Sequence, residues 1–430
     1  MTNRIAWLTP WNIQSAIAMF SAHLVAELRR RGHEVTIFRT EAGSGLELEN
    51  LPYDGEVVAL SDVDPHVLRW QFDHVVSNVG NHFPFHGALP RVMDEFPMLA
   101  IFHDGLIAHL ADPWSRDCLD LPTCPTLLAR SVYGGDFGNE EGFWLPLDDM
   151  AKQRPMTGWL AGMAAGCFTH SHFWKGELER YCPGGVTVHP LSMPDEEIPP
   201  PPPWSDRIVI ATVGHVNRNK RVEEVLYALA SDSLLAERCE YRLFGHCEES
   251  EKQHLTKLAQ QLGVRSPTFT GWLTAEELRR EMSQVHVISC LRYPVLEAGS
   301  ASLITAMRSG RPTLVSNHGA YGEVAPEAVM RCTPGNESLD VLRHLSALME
   351  NPERADEIGQ RAQAYVAEVN SVTSYIDALE PAMENATRAA PRIAMLREMG
   401  KVLGGLGVTT QSEDFERIVI PLAQSFNTGR

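Results

Sequence analysis

The sequence predicts an α/β protein built from two doubly wound parallel sheets. Three observations carry that expectation. Apolar runs without helical spacing alternate with helical stretches along most of the 430 residues, which is the βαβ pattern. A chain of this length exceeds what one compact core organises and fits two domains. Five consecutive prolines at 199–203 interrupt the pattern, which restarts directly after them. A stiff polyproline II spacer with no core of its own marks a boundary there.

In the first half, 4–9 (RIAWLT) reads as a buried strand and 15–31 as a helix with Ile17, Phe20, Leu24 and Leu28 on one face. Gly32-His33 ends that helix and 34–39 is the second strand. In such a unit ligands gather at the C-terminal ends of the strands, so the loop 10–16, with Asn12, is expected at a cleft. It has no glycine and is no dinucleotide fingerprint. Further strands are expected at 72–79, 97–102, 166–169 and 186–190. The first of these ends in Gly80-Asn81-His82 and the second in His103-Asp104-Gly105. Polar side chains at strand ends suit sugar hydroxyls or a held proton. For Asp104 alone, capping of the next helix is the favoured reading. Residues 112–156 show no clean period and suggest an irregular acceptor-binding lid. Asp62 and Asp64 stand one residue apart, but they precede Pro65 with no strand leading in, so they read as solvated turn residues rather than metal ligands.

After the prolines, 207–213 is a strand ended by Gly214-His215. The following loop carries Arg218, Lys220 and Arg221 before a helix at 222–229, and three cations at a strand-to-helix loop suit a diphosphate. Strands are expected at 240–244, 267–271, 285–289 and 313–316, with a capping box at 274–277. Between the last two strands lies LRYPVLEAGSASLITAMRSGRP, where small residues at 298–301 open a helix. Free backbone N–H groups and the helix dipole favour phosphate there, and Glu297 suggests a ligand with hydroxyls. An ordinary strand–loop–helix would show the same residues, so this stretch alone leaves both readings open. Beyond Pro334 helices are expected at 339–349, 352–369, 372–385 and on to about Phe426.

A formal net charge of −18 argues against nucleic acid or an anionic membrane as the main partner. No apolar stretch is long enough to span a bilayer, and the chain enters a strand at once without a signal-peptide pattern. The eight cysteines are scattered without CxxC pairs, which points to reduced cytoplasmic thiols rather than a zinc site.

Taken together, GHVNRNKRVEEVL, FGHCEE, LAQQLGV, FTGWLTAEEL and EAGSASLITAMRSGRPTLVSNHGAYGE resemble the donor domain of the retaining GT-B glycosyltransferases of family GT4. The first half is similar to bacterial members carrying TPWN, GNHFPFH and HDGLIAHL. The resemblance implies a first domain over 1–198, a linker over 199–204 and a second domain over 205–371, with helices 372–430 packing back on the first. It implies a UDP- or GDP-sugar donor held by the second domain, a glycan or lipid-linked acceptor held by the first, and neither metal nor other cofactor. It places the protein in the cytoplasm, peripheral at the inner membrane face, in surface polysaccharide synthesis.

Residue by residue, the resemblance assigns Lys220 to the donor diphosphate and Glu297, first glutamate of the E-x7-E motif, to the transferred sugar. His103 is implied to reach that sugar, and Gly299, Ser300 and Ala301 to offer N–H groups to phosphate. Trp272 stands where the base is held, and Asn12, Asn81, His82 and Asp104 fall on the acceptor side. The pattern is broken at three places. His215 replaces an arginine, so that charge is expected from Arg218 or Arg221, or is missing. Ser15-Ala16 replaces a tight glycine, and Thr305 replaces the second glutamate, the ligand of the ribose hydroxyls. Those departures keep two alternatives in view: a catalytically impaired member that binds a glycan or protein, and another GT-B activity such as a phosphorylase or sugar-nucleotide epimerase.

Overall fold

The structure, a computed structural model, describes residues 2–119, 124–135, 142–194, 198–408 and 417. Two parallel sheets organise it. The first holds β1 (Arg4–Thr9), β2 (Glu34–Arg39), β3 (Val57–Ala59), β4 (His74–Val79), β5 (Leu99–Phe102), β6 (Gly166–Thr169) and β7 (Val186–Val188), in the order β3-β2-β1-β4-β5-β6-β7. The second holds β8 (Ile208–Val213), β9 (Cys239–Phe244), β10 (Thr268–Gly271), β11 (Val287–Cys290), β12 (Thr313–Ser316) and β13 (Met330–Cys332), in the order β10-β9-β8-β11-β12-β13. Every pairing within these sheets is parallel. The central strands β1, β4, β5 and β8 read as apolar runs because helices cover both of their faces.

Both sheets reverse their order of winding beside the first strand, between β1 and β4 in one and between β8 and β11 in the other. Loops leaving the C-terminal ends of those strands diverge there and open a crevice. Two edge strands, β3 and β13, are absent from the sequence reading. Each is three residues long, and β3 is only partly buried along its whole length, so neither forms an apolar run long enough to register. β3 does lead into the turn bearing Asp62, contrary to expectation. Asp62 and Asp64 are exposed, and Asp64 caps the helix Pro65–Gln71 through His66 N.

The expected irregular lid is helical where it is described. Helices span Ala108–Leu119, Cys124–Tyr133 and Leu147–Gln153, and residues 120–123 and 136–141 lie outside the described set. Pro113 and Pro125 hide the helical period, since proline is a breaker in any reading by propensity. Past residue 371 the chain forms one helix, Val372–Gly405, rather than two. Tyr375, Ile376, Leu379, Ala382, Met383, Ala386, Ala390 and Ile393 form its buried stripe, at the three- and four-residue spacing of one helix face. That stripe lies against β4, β5, β6 and the helix Ala16–Arg30 of the first sheet. Thr387 Oγ1 lies 2.8 Å from His74 Nδ1 and Arg31 pairs with Glu380, so the helix is tied to the first domain at both ends of its contact. The expected extension to about Phe426 falls outside the described residues.

Candidate active site

The C-terminal ends of β1, β4 and β5 face those of β8 and β11 across a cleft of about 540 Å³. Its first-domain wall comprises Gln14, Ser15, Ala16, Ile17, Phe20, Asn81, His82, Phe85, His86, His103 and Asp104. Its second-domain wall carries Gly214, Lys220, Arg292, Glu297 and Gly299 to Ser302. Backbone hydrogen bonds sew the two walls together at the floor. Gly105 N donates to Leu296 O at 2.7 Å and Ala298 N to His103 O at 2.8 Å, an antiparallel bridge between Asp104 and Glu297. Trp174 covers it, with its indole N–H directed at Glu297 O, and occupies the space a side chain on Gly105 would need.

Lys220 is 6% exposed, and its ammonium donates to Val213 O at 2.5 Å. Burial, reinforced by Arg292, lowers its pKa to about 7. Arg292, 7% exposed, is the cation that accompanies it; the sequence reading passed over this residue. The available signal was its place at the end of β11, where polar side chains enter the crevice. Arg292 Nε lies 3.5 Å from Glu297 Oε1, and the Tyr321 hydroxyl donates to the same oxygen at 2.5 Å. With Leu296 N donating to its other oxygen at 3.3 Å, Glu297 is held at a fixed point of the cleft. The helix Ala301–Arg308 starts beside it, capped by Ser300 Oγ on Leu303 N, and its positive end faces the same space. Gly299 is there because a Cβ would stand 2.9 Å from Leu191 and 3.0 Å from His170.

The cations expected beside Lys220 are not in the cleft. Arg221 adopts a left-handed φ of 54° and pairs with Glu224 and Glu337. Arg218 is exposed. His215 stacks on His246 at 5.3 Å, and burial lowers its pKa, so it supplies no positive charge in place of the arginine. Trp272 is 78% exposed and lines neither the cleft nor the chamber that adjoins it. A one-dimensional reading places side chains at loops but not on faces of loops, and each of these misses is of that kind.

On the first-domain wall, Asn12 is fully buried and serves the fold: its amide donates to Glu41 and its Oδ1 accepts from Gln14 N. Asn81 lines the cleft but caps a helix, with Oδ1 accepting from His109 N and Leu110 N. Asp104 accepts from Asn81 N at 2.8 Å, and burial raises its pKa to about 7. His103 Nε2 lies 3.0 Å from Asn78 Oδ1, and its Nδ1 lies 3.2 Å from His170 Nε2. Asn78 Oδ1 can only accept, so Nε2 carries the proton and Nδ1 accepts from His170. Burial holds His103 well below the usual histidine range. Both ring nitrogens are therefore engaged inside the first domain, and neither is free for the donor sugar. His82, an exposed residue at the rim, packs edge-on against Phe85 at 4.4 Å.

Beyond Ala301 and Ser302 the cleft adjoins a second chamber of about 610 Å³ within the second domain. Val213, Leu278, Met282, Ile288 and Ala306 make it largely apolar, and Thr305 and Arg279 are on its wall. Among the described residues no carboxylate lines it. Among the described residues no group of three His, Cys, Asp or Glu side chains is placed to hold a metal ion.

Residues 194–365, which contain the whole second-domain wall of the cleft, match the family model described as glycosyl transferases group 1. Solved structures align over nearly the entire chain. Sucrose-phosphate synthase from Thermosynechococcus elongatus superposes with a TM-score of 0.59 at 14% identity, covering 94% of this chain and 98% of its own. The fold is GT-B. HepE of Anabaena, solved in complex with UDP and glucose, superposes with a TM-score of 0.57 at 15% identity over 89% of this chain and 99% of its own. WaaG, a glycosyltransferase involved in lipopolysaccharide biosynthesis, superposes with a TM-score of 0.55 at 14% identity over 86% and 98%. No curated protein matches the chain. The GT-B cleft of this chain is therefore the one bounded by Lys220, Arg292 and Glu297 on one side and by Asp104 and His82 on the other.

Proposed function

We propose that this protein is a glycosyltransferase that moves a sugar from a nucleotide-sugar donor to an acceptor hydroxyl with retention at the anomeric carbon. The observation that carries the proposal is the convergence of Lys220, Arg292 and the start of helix Ala301–Arg308 around Glu297 at the floor of the cleft. The group 1 family match over the same residues supports it. In this reading the donor diphosphate lies against the two cations and the helix N-terminus, and the nucleoside occupies the adjoining apolar chamber. Glu297 accepts hydroxyl hydrogens of the transferred sugar. The anomeric C–O bond breaks as negative charge grows on the diphosphate, which Lys220 and Arg292 stabilise. The acceptor oxygen attacks the same face, and its proton passes to the departing phosphate. Every protein group here binds or orients, so catalysis rests on preorganised charge and positioning.

The finer assignments belong to the same proposal. The reaction needs no metal, because two buried cations and a helix end already face the diphosphate. The acceptor is a glycan or a lipid-linked glycan of surface polysaccharide. The protein works in the cytoplasm, a placement supported by the buried free thiols at 124, 167, 182, 239, 247, 290 and 332. No helix among the described residues is long and apolar enough to cross a membrane.

The test is nucleotide release from a panel of UDP-, GDP- and dTDP-sugars by the purified full chain, with Lys220→Ala and Glu297→Ala in parallel. Removal of Lys220 is expected to lower kcat by at least 10²–10³, the scale for losing one preorganised charge donor at a transition state. Equal background from wild type and both variants would refute the proposal. Thr305 and the carboxylate-free chamber favour one alternative, a binding protein without turnover. Calorimetry showing no binding of UDP, GDP or dTDP would select it.

A further inference from the structure

The two walls of the cleft differ in charge, and that difference bears on the acceptor. This inference rests on the glycosyltransferase reading given above. The second-domain wall holds both cations that line the cleft, Lys220 and Arg292. Among the described residues the first-domain wall holds none: Gln14, Ser15, Ile17, Phe85, His82 and Asp104 are groups it presents, and neither lysine nor arginine is among its described lining residues. Its imidazoles do not substitute for cations. Burial brings the pKa of His86 to about 3 and holds His103 well below the usual range, and partial desolvation at the rim lowers that of His82, so none of the three rings supplies a fixed positive charge.

What this wall does offer is of two kinds. Ile17 and the edge-on pair His82–Phe85 give apolar and aromatic surface, on which the C–H face of a sugar ring can lie. Gln14 and the Ser15 hydroxyl give neutral hydrogen-bonding groups, and Asp104 gives an ionisable carboxyl. A phosphate or carboxylate on an acceptor would meet no counter-charge here. It would meet Asp104, which above its pKa of about 7 repels an anion outright. An uncharged polyhydroxyl ring meets partners for its hydroxyls and a surface for its carbons.

We propose that the first-domain wall selects an uncharged saccharide acceptor, a sugar unit carrying neither phosphate nor carboxylate at the end that enters the cleft. An anionic group elsewhere on a longer acceptor would lie outside the cleft.

Matched pairs test this on the full chain loaded with UDP, or with GDP or dTDP if only those bind. Ligand-observed NMR titrations compare methyl glucoside with glucose 6-phosphate, methyl mannoside with mannose 6-phosphate, and methyl glucoside with methyl glucuronide. The uncharged member of each pair is expected to bind at least tenfold more tightly. The His82→Arg variant, which adds a cation to the wall, is expected to shift each phosphate-bearing pair at least tenfold toward the anion. Equal or tighter binding of the anionic members to the unaltered protein would overturn the inference, and so would absence of any signal from the uncharged ones. If no nucleotide loads, the glycosyltransferase reading itself fails, which separates the two results.

Discussion

Lys220 shows how burial sets a residue's chemistry. Its ammonium sits among Val213 O, Arg292 and Glu297, and burial there brings its pKa to about 7. A bound diphosphate favours the charged form, so binding must be accompanied by proton uptake at and above that pH. Donor affinity is then full below about pH 7 and falls as pH rises through and beyond it. Calorimetry with a UDP-sugar at pH 6 and pH 8.5 should find roughly tenfold tighter binding at the lower value, whereas Lys220→Arg, permanently charged, should flatten the profile. Thr305 makes a second prediction. A glutamate at this chamber wall would accept charged hydrogen bonds from ribose, each contributing about 1.5–3 kcal/mol. Thr305→Glu should therefore tighten UDP binding roughly tenfold or more. No change would mean that the ribose does not reach this part of the chamber.

At the scale of the element, one side chain anchors the start of the linker. Arg311 is fully buried at the start of β12, and its guanidinium donates to Met282 O, Val285 O, Ser309 O, Pro199 O and Pro200 O. Prolines have no N–H to donate, so their carbonyls are the linker's only backbone polar groups at 199 and 200. Truncation to alanine leaves several buried acceptors without a donor, at a cost of about 3 kcal/mol or more. Arg311→Ala should lower the urea midpoint of the second domain markedly, and Arg311→Lys should recover little, because one ammonium has three donors and no planar fork. The long helix Val372–Gly405 illustrates a different limit. Its apolar stripe is plain in the residues, yet Pro381 and Pro391 within it argue for breaks. Packing against the first sheet holds one helix through both.

On the scale of the whole molecule, the active cleft exists only where two domains meet. Its floor is the backbone bridge from 103–105 to 296–298 under Trp174. A Cβ on Gly105 would stand 1.8 Å from the Trp174 ring, which belongs to the packed interior and cannot yield without opening the seam. Gly105→Ala should lower kcat/KM by at least a hundredfold, since an ångström-scale misplacement suffices for that loss. Nucleotide binding, which the proposed function assigns to the second domain, should fall much less. A parallel loss of nucleotide affinity would show that the seam supports the donor chamber as well.

The residues alone determined the doubly wound class, the two sheets and the central loops of the cleft. Those features are written in local periods and in breakers, which survive without knowledge of neighbours. Lys220, Glu297 and the helix start at Ala301 were legible because each lies where a strand ends. The edge strands β3 and β13 were not, being too short to build a pattern. Tertiary structure alone decided which polar side chains enter the cleft. It placed Arg292 beside Lys220, turned Arg218, Arg221 and Trp272 away, and spent both nitrogens of His103 on Asn78 and His170. It also brought Asp104 opposite Glu297. The physical reason is the same in each case: a side chain's direction and charge state depend on groups distant in sequence, through packing, pairing and burial.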